Sequence, residues 1–464
     1  MNSLRERKEA FVTGHEGTTL MEINAATLTV PLGMLLATHL ARLYGQPTTI
    51  IHHCLAHSLD AAGLFLPSMA VFLDAANASS VVGLLVILNV IAAAVLSRSP
   101  DAARERRRQQ TQVAAALAQP HKPFVATWRG TMTLTTCACI LAVDFAAFPR
   151  RFAKAETFGT GLMDVGVGSF VLANAVPSKE ARGVAPPDWW DHLCCSLRSV
   201  CPLLTLGAAR LLATSAFSYQ VHVGEYGVHW NFFFSLAVVA MLSSAVRVPA
   251  RWRWAVGAGV LLCHQTALSC TALGAYVASP DRGQDLMSLN KEGIISSVGM
   301  WGLYMTGTEL GHTIFSSSSK LCGAANGKTP SIASWRRWAL QLWAVDAGLW
   351  SLLWLSVTFI EPVSRRSANL PYALWMLAFN LMMMLVYLTM DLLAGPIRSP
   401  LVDATNFNLL PTFLLANVLT GLVNMFANTL EVSTYHTWVF MAVYLELVGA
   451  GALTLFLFKR SFRI

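Results

Sequence analysis

Asp144 stands near the end of an apolar run, in Leu141-Ala142-Val143-Asp144-Phe145, where an uncompensated carboxylate is costly. Arg150, Arg151 and Lys154 follow within ten residues, beyond a Pro149 that ends or kinks a helix. A turn there can fold these cations back towards the carboxylate, and Glu156 and Asp164 add two more acids to the segment. Desolvation makes a carboxylate more basic and a neighbouring cation makes it less so, and a balance of the two suits a general base. The plainer reading of the same residues is an ion pair that locks a helix hairpin.

A second polar group, His222-Val-Gly-Glu225-Tyr226-Gly-Val-His229-Trp230-Asn231, holds more donors and acceptors than a turn needs and suits sugar or inositol hydroxyls. Its histidine spacing matches no zinc signature, so no metal site is expected. The bland alternative is an interfacial belt with aromatic anchors. A third group, Asn290-Lys291-Glu292-Gly293, reads as a helix N-cap with an acidic first turn. In a fourth, Asn417, Thr420, Asn424 and Asn428 recur at helical spacing, so they share a face that either bonds to neighbouring helices or lines a cavity. Asn77-Ala78-Ser79 is the single N-x-S/T sequon, which makes Asn77 a glycosylation candidate.

The composition decides what kind of element holds these groups. The 464 residues are 55% hydrophobic and only 12% charged, with a mean hydropathy of +0.51. A soluble protein carries charge on about a quarter of its positions, and half that supply cannot coat a water-facing surface. Lipid must therefore solvate most of the chain, and low-complexity, collagenous and disulfide-scaffold classes are excluded. The nine cysteines show no paired CxxC spacing. The net charge of +8 reflects basic loops between apolar runs, and no nucleic-acid partner is expected.

Apolar runs long enough to span a bilayer fall at about 21–44, 57–74, 79–96, 128–148, 159–176, 199–216 and 231–246. Further runs fall at about 254–275, 293–314, 336–360, 370–395, 406–428 and 434–458. The expected fold is an all-α polytopic transmembrane bundle of about thirteen spans, forming one integral-membrane domain over 1–464. The longest hydrophilic stretch is a basic loop at about 97–126. Alternate loops carry twenty Lys and Arg on one side against ten on the other, which predicts a lumenal N-terminus and a cytosolic C-terminus. The sequon and the polar groups around Lys154, Glu225 and Asn290 then fall on the lumenal side.

No G-x-S-x-G elbow, HxxxxD motif, Walker A lysine or dinucleotide-binding glycine fingerprint occurs. The scattered acids Asp60, Asp74, Asp346, Asp391 and Glu446 suit a proton-coupled lipid or metabolite transporter, which is the rival class, and a non-catalytic scaffold is a third.

Five ordered motifs carry a resemblance. Lys8-Glu9-Ala10-Phe11-Val12 with Gly17-Thr18-Thr19 and Glu22-Ile23 comes first, then Ala142-Val143-Asp144-Phe145 with Phe148-Pro-Arg-Arg-Phe-Ala-Lys154, Gly159-Thr-Gly161 and Met163-Asp164. The segments 222–234, Asn290-Lys-Glu-Gly-Ile-Ile-Ser296 and Leu414-Leu-Ala-Asn417 through Asn424 follow. With these the chain resembles the PIG-W family, also called the GPI-anchored wall transfer protein family, over nearly its whole length. His15-Glu16 and Met300 depart from the family pattern and leave the acid–base pair untouched.

The resemblance implies a multi-pass acyltransferase of the endoplasmic-reticulum membrane acting in GPI-anchor biosynthesis. It would move a fatty acyl group, palmitoyl by expectation, from acyl-CoA to the inositol 2-hydroxyl of glucosaminyl-phosphatidylinositol. Acyl-CoA is then a co-substrate, and no further cofactor is expected. The family's catalytic Asp and Lys match Asp144 and Lys154. Arg150 and Arg151 become candidates for the lipid phosphate, and His222, Glu225 and His229 for the glucosamine ammonium and ring hydroxyls. Glu156, Asp164, Tyr226, Trp230, Asn231, Asn290, Glu292, Asn417 and Asn424 complete the expected substrate-binding set.

Overall fold

Long apolar stretches punctuated by Asn, Ser, Thr and Pro dictate a chain of capped helices. The structure, a computed structural model, describes residues 7, 10, 11, 13–45, 50–184, 189–216, 223–246, 248–324 and 329–459. Its first helices are α1 (Leu20–Tyr44), α2 (Ile50–Phe72), α3 (Ala78–Ser97), α4 (Ala102–Ala118), α5 (Pro123–Ala142) and α6 (Val165–Ala175). There follow α7 (Trp189–Ala216), α8 (Val223–Tyr226), α9 (Phe232–Ala245), α10 (Arg253–Cys270), α11 (Leu273–Ala278) and α12 (Leu286–Leu289). The last six are α13 (Lys291–Ala324), α14 (Ile332–Phe359), α15 (Leu370–Ala394), α16 (Pro400–Phe407), α17 (Leu409–Phe426) and α18 (Thr434–Leu457).

Caps fix many of the starts. Thr19, Asn77, Asn231, Ser331, Asn369, Ser399 and Ser433 each accept from amides of the following turn, and Pro stands in the first turn of α5, α15 and α16. At Asn77, the glycosylation candidate, the side-chain oxygen is thereby held by Ser79 N at 3.0 Å.

Every expected run carries a helix. Among the described residues, however, only seven helices are long and apolar enough to cross a membrane: α1, the Cys54–Phe72 part of α2, α3, α14, α15, α17 and α18. α6 and α9 have 11 and 14 residues, or about 16 and 21 Å at 1.5 Å per residue, short of a ~30 Å hydrocarbon layer. α10 and α13 dilute their apolar stretch with polar residues turned inward, Arg253, His264 and Gln265 on the first and Lys291 and Glu292 on the second. The run expected over 128–148 is helical only to Ala142, so Asp144 lies in the turn beyond. The run expected over 406–428 is broken at Asn408, and its helix ends at Phe426, leaving Asn428 outside the shared face.

α15 is the hub, with 78% of its most apolar window buried, and it packs against α14, α5, α13, α6 and α1. Polar pegs set its register: Trp128 donates to Asn380 at 3.2 Å and Tyr387 to Thr131 at 3.0 Å. α3 shows Leu84, Ile87, Val90 and Ile91 outwards, as a lipid-facing helix does. The ends of α15 mark the two ends of the bundle. Beyond Leu370 gather the loops carrying Lys154, Glu225, Glu292 and Arg365. At the other end Arg42 reaches the carbonyls of Ala394 and Pro396.

Candidate functional site

Lys154 lies in the extended stretch after a single 3-10 turn, Arg150–Phe152. Its Nζ donates to Glu225 Oε2 at 2.7 Å. Glu225 Oε1 accepts from Arg365 Nη1 at 3.0 Å, and Arg365 Nε donates to Asp164 Oδ1 at 2.8 Å. The second Asp164 oxygen accepts from the amides of Ala155 and Gly161 at 3.0 and 2.8 Å. Lys154, Glu225, Arg365 and Asp164 thus form one unbroken chain of alternating charge in which Arg365 and Asp164 are almost wholly inaccessible. Such a chain is tolerable away from water because each member is paired and hydrogen-bonded.

Electrostatics follows from the geometry. Burial alone would raise the Glu225 carboxyl, but Lys154 and Arg365, with Arg210 nearby, outweigh it and hold it well below the usual range. Burial lowers the Arg365 guanidinium, and Glu225 and Asp164 more than compensate, lifting it above its ordinary value. Burial pushes the Asp164 carboxyl up, against the pull of Arg365 and the two amides.

Asp144 sits on a neighbouring element. Asn424 of α17 donates to its Oδ2 at 2.6 Å and to the Thr420 carbonyl at 3.1 Å, so one amide ties the α5 exit to α17. Arg150 folds back under the same turn, donating to the carbonyls of Val143 (2.9 Å) and Phe148 (2.9 Å), while its guanidinium lies 3.9 Å from the Phe11 ring centre. Burial pulls this guanidinium down to about 10, countered in part by Asp144. Arg151 bridges Glu22 at 2.9 Å and Asp74 at 3.0 Å. Both arginines are therefore engaged in holding the loop, and a lipid phosphate would have to compete for them.

A segment ahead of α1 closes over this loop. Gly17 pairs with Thr160 as a parallel bridge, Thr18 N donates to the Thr160 carbonyl at 2.6 Å, and Glu156 N donates to the His15 carbonyl at 2.8 Å. Glu156 Oε2 accepts from Gly14 N at 3.3 Å. Gly17 has φ +89°, and a Cβ there would strike the Thr160 carbonyl, so only glycine allows this approach.

The remaining expected residues divide. Tyr226 places its ring 5.9 Å from the Arg365 guanidinium, against the charged chain. Glu292, fully buried, joins a second cluster with Arg282 (2.6 Å) and Arg366 (2.9 Å). Asn290 precedes α13, but its side-chain oxygen accepts from His229 N at 2.8 Å instead of capping that helix. Asn231 caps α9 and donates to the Gly207 carbonyl at 2.9 Å, Trp230 donates to Ser235 at 2.9 Å, and Asn417 bonds its own helix at the Phe413 carbonyl, 2.7 Å. The His229 side chain is exposed. His222 lies outside the described residues. Among the described residues no group of three His, Cys, Asp or Glu is placed to hold a metal ion.

Arg365 and Arg366 are the residues that sequence reasoning missed, having counted them only as loop charge. The available signal was two adjacent arginines between long apolar runs, with Glu361 the only acid in their loop. Of the scattered acids, Asp60 accepts from Ser399 at 2.7 Å and Asp391 from Ile397 N at 3.0 Å.

A narrow apolar cleft of ≈ 70 Å³ runs between α1, α5, α6 and α15, lined by residues including Val30, Trp128, Cys139, Met163 and Met383. Its α5 wall extends from Trp128 to Cys139, about 16 Å at 1.5 Å per residue. Cys139 lies five residues before Asp144, and Met163 adjoins Asp164, so these lining residues are neighbours in sequence of the charged groups.

Comparison with known proteins agrees with the five sequence motifs. A GWT1 family model matches residues 4–455. GPI-anchored wall transfer protein 1 of Aspergillus oryzae is 33% identical over 98% of this chain and 98% of its own length. The protein of the same name from Eremothecium gossypii is 37% identical over 93% of each chain. An uncharacterized protein of Arabidopsis thaliana is 42% identical over 69% of this chain and 70% of its own length. On this full-length agreement, the chain is a member of the GWT1 family of multi-pass membrane proteins.

Proposed function

We propose that this chain is a membrane-bound O-acyltransferase of GPI-anchor biosynthesis in the endoplasmic reticulum. It would transfer a fatty acyl group, palmitoyl in the first instance, from acyl-CoA to the inositol 2-hydroxyl of glucosaminyl-phosphatidylinositol. The observation that carries the reading is an apolar cleft walled by α5 and α6, the two helices that flank the Asp144 and Lys154 segment in sequence. Part of an acyl chain would lie along the cleft's apolar wall, with its thioester towards the Asp144 and Lys154 segment.

Asp144, oriented by Asn424, takes the proton from the inositol hydroxyl as that oxygen attacks the thioester carbonyl. Lys154, held by Glu225, stabilises the developing oxyanion. The tetrahedral intermediate collapses with loss of the CoA thiolate, which recovers the proton from Asp144. No acyl-enzyme is required, because both reactants meet in one site.

The test is incubation of detergent-purified protein with palmitoyl-CoA and glucosaminyl-phosphatidylinositol, read by mass spectrometry beside Asp144→Asn. A gain of one acyl group on inositol, lost in the variant by ~10²–10⁴-fold, is the expected result. Full turnover by a folded Asp144→Asn sample removes the base role, and no product from wild type removes the reading.

A further inference from the structure

The 361–369 loop turns its two arginines to different places. Arg365 completes the Lys154–Glu225–Asp164 chain, whereas Arg366 lines a second cavity, of ≈ 420 Å³. That volume lies within the ~300–1,000 Å³ of small-molecule sites. Its wall carries polar groups: Arg366, Glu361 and the hydroxyl-bearing Ser269, Ser364 and Ser367 all contribute. Arg366 is only 7% exposed, bonds Glu292 through Nη2 at 2.9 Å and keeps its Nε without a partner. Glu361 is held in place by the amides of Gln265 at 2.8 Å and Asn369 at 2.7 Å. A guanidinium and a carboxylate on one wall, with hydroxyls between, match a ligand carrying an anion, a cation and a polyol.

The rim has a different character. Phe158 and Ile360 line the cavity and are exposed, at 44% and 46%, and Phe359 next to them is 75% exposed. Exposed aromatic and aliphatic side chains around a charged interior mark the level at which a lipid's tails stay outside while its head enters. The cavity also shares a wall with the candidate site. Thr157, three residues after Lys154, lines it, and Ser364, next to Arg365, donates to the Thr157 carbonyl at 2.6 Å.

We infer that this cavity holds the amino-sugar and polyol phosphate headgroup of the acceptor glycolipid, with Glu361 facing the ammonium and Arg366 facing the phosphate. The acceptor enters sideways from the membrane past Phe158 and presents its polyol to the Lys154 loop. This inference rests on the acyl-transfer reading above for the identity of the lipid.

The experiment uses full-length protein in detergent and two variants with unchanged melting as the folding check. Ala278→Trp fills the cavity from its exposed side, and Glu361→Gln removes its carboxylate charge. Native mass spectrometry reads binding of glucosaminyl-phosphatidylinositol without acyl-CoA, and steady-state assays read KM for each substrate. Ala278→Trp is expected to weaken glycolipid binding and raise the acceptor KM at least ~10-fold, with the acyl-CoA KM retained. Glu361→Gln is expected to lose the preference for the amino-sugar lipid over its N-acetylated form. Soluble glucosaminyl-inositol phosphate, lacking tails, should compete for the same site. Acceptor binding and KM in Ala278→Trp equal to wild type overturn the inference, as does equal binding of plain phosphatidylinositol. Loss of binding in Ala278→Trp alongside a wild type that binds but never acylates would leave the cavity assignment standing and remove the acyl-transfer reading.

Discussion

The Lys154 ammonium lies 2.7 Å from Glu225, and that carboxylate's other oxygen is held at 3.0 Å by Arg365. A lysine on an otherwise extended loop is thereby fixed in direction by a residue anchored in the interior. Glu225→Gln preserves shape and removes the charge that holds the ammonium. A charge-assisted hydrogen bond is worth ~1.5–3 kcal/mol, so turnover should fall ~10–100-fold with the fold intact. Acyl-transfer assays paired with thermal melting in detergent check this.

Arg365→Met should act on stability first. It leaves Asp164 and Glu225 without their shared cation, in surroundings where Arg365 is 5% and Asp164 0% exposed. Removing one partner of a buried ion pair costs ~3–5 kcal/mol. The expected outcome is a large drop in melting temperature, and Arg365→Lys should recover only part of it because a single ammonium cannot hold both acids with the same fork.

Acid should loosen the same chain of charges. Glu225 is held below its ordinary value of 4.5 in the folded protein, so the unfolded chain binds a proton there that the folded one refuses. The stability it contributes is present above the ordinary carboxylate value and is lost as pH falls below it. Melting temperature followed from neutral pH down to ~pH 3 should decline less steeply in Glu225→Gln than in wild type.

Gly166 lines the apolar cleft, and the nearest atom to a Cβ added there is Thr136 Cγ2, at 3.8 Å. The Cβ of Gly166→Leu therefore meets no clash, and its side chain occupies room that the proposed acyl chain would use. Supplied with a mixture of acyl-CoAs, the variant should favour shorter chains, as read from product masses. An unchanged product distribution would place the acyl chain elsewhere.

Much of the site was readable because polar residues in an apolar chain announce themselves. Asp144, Lys154, Asp164 and Glu225 stand out against their neighbours, and each takes part in the charged end of the bundle. What the sequence hid was partnership. Asp144 precedes Arg150, Arg151 and Lys154 closely, yet the amide that donates to it at 2.6 Å belongs to Asn424, 280 positions away. Arg365 and Arg366 look like an ordinary hydrophilic loop until α14 and α15 carry that loop inside. Hydropathy marks thirteen runs, whereas seven helices among the described residues are long and apolar enough to cross a membrane; α6 and α9 are short, and α10 and α13 carry buried charge and amides. The loops carrying Lys154, Glu225 and Arg365 do meet, as alternation of the expected runs has it.

The bridge between Gly17 and Thr160 also bears on biogenesis. Residues ahead of α1 meet the 150–160 loop, and Arg7 meets Glu431 at 3.1 Å, 424 positions later. The ion pair itself is exposed and contributes little. The contact with Thr160 sets an order of events all the same: the segment ahead of α1 stays undocked until the loop beyond α5 has been made. Closure over the Lys154 loop therefore follows the synthesis of α5, and a bulky tag fused ahead of residue 7 would burden that step.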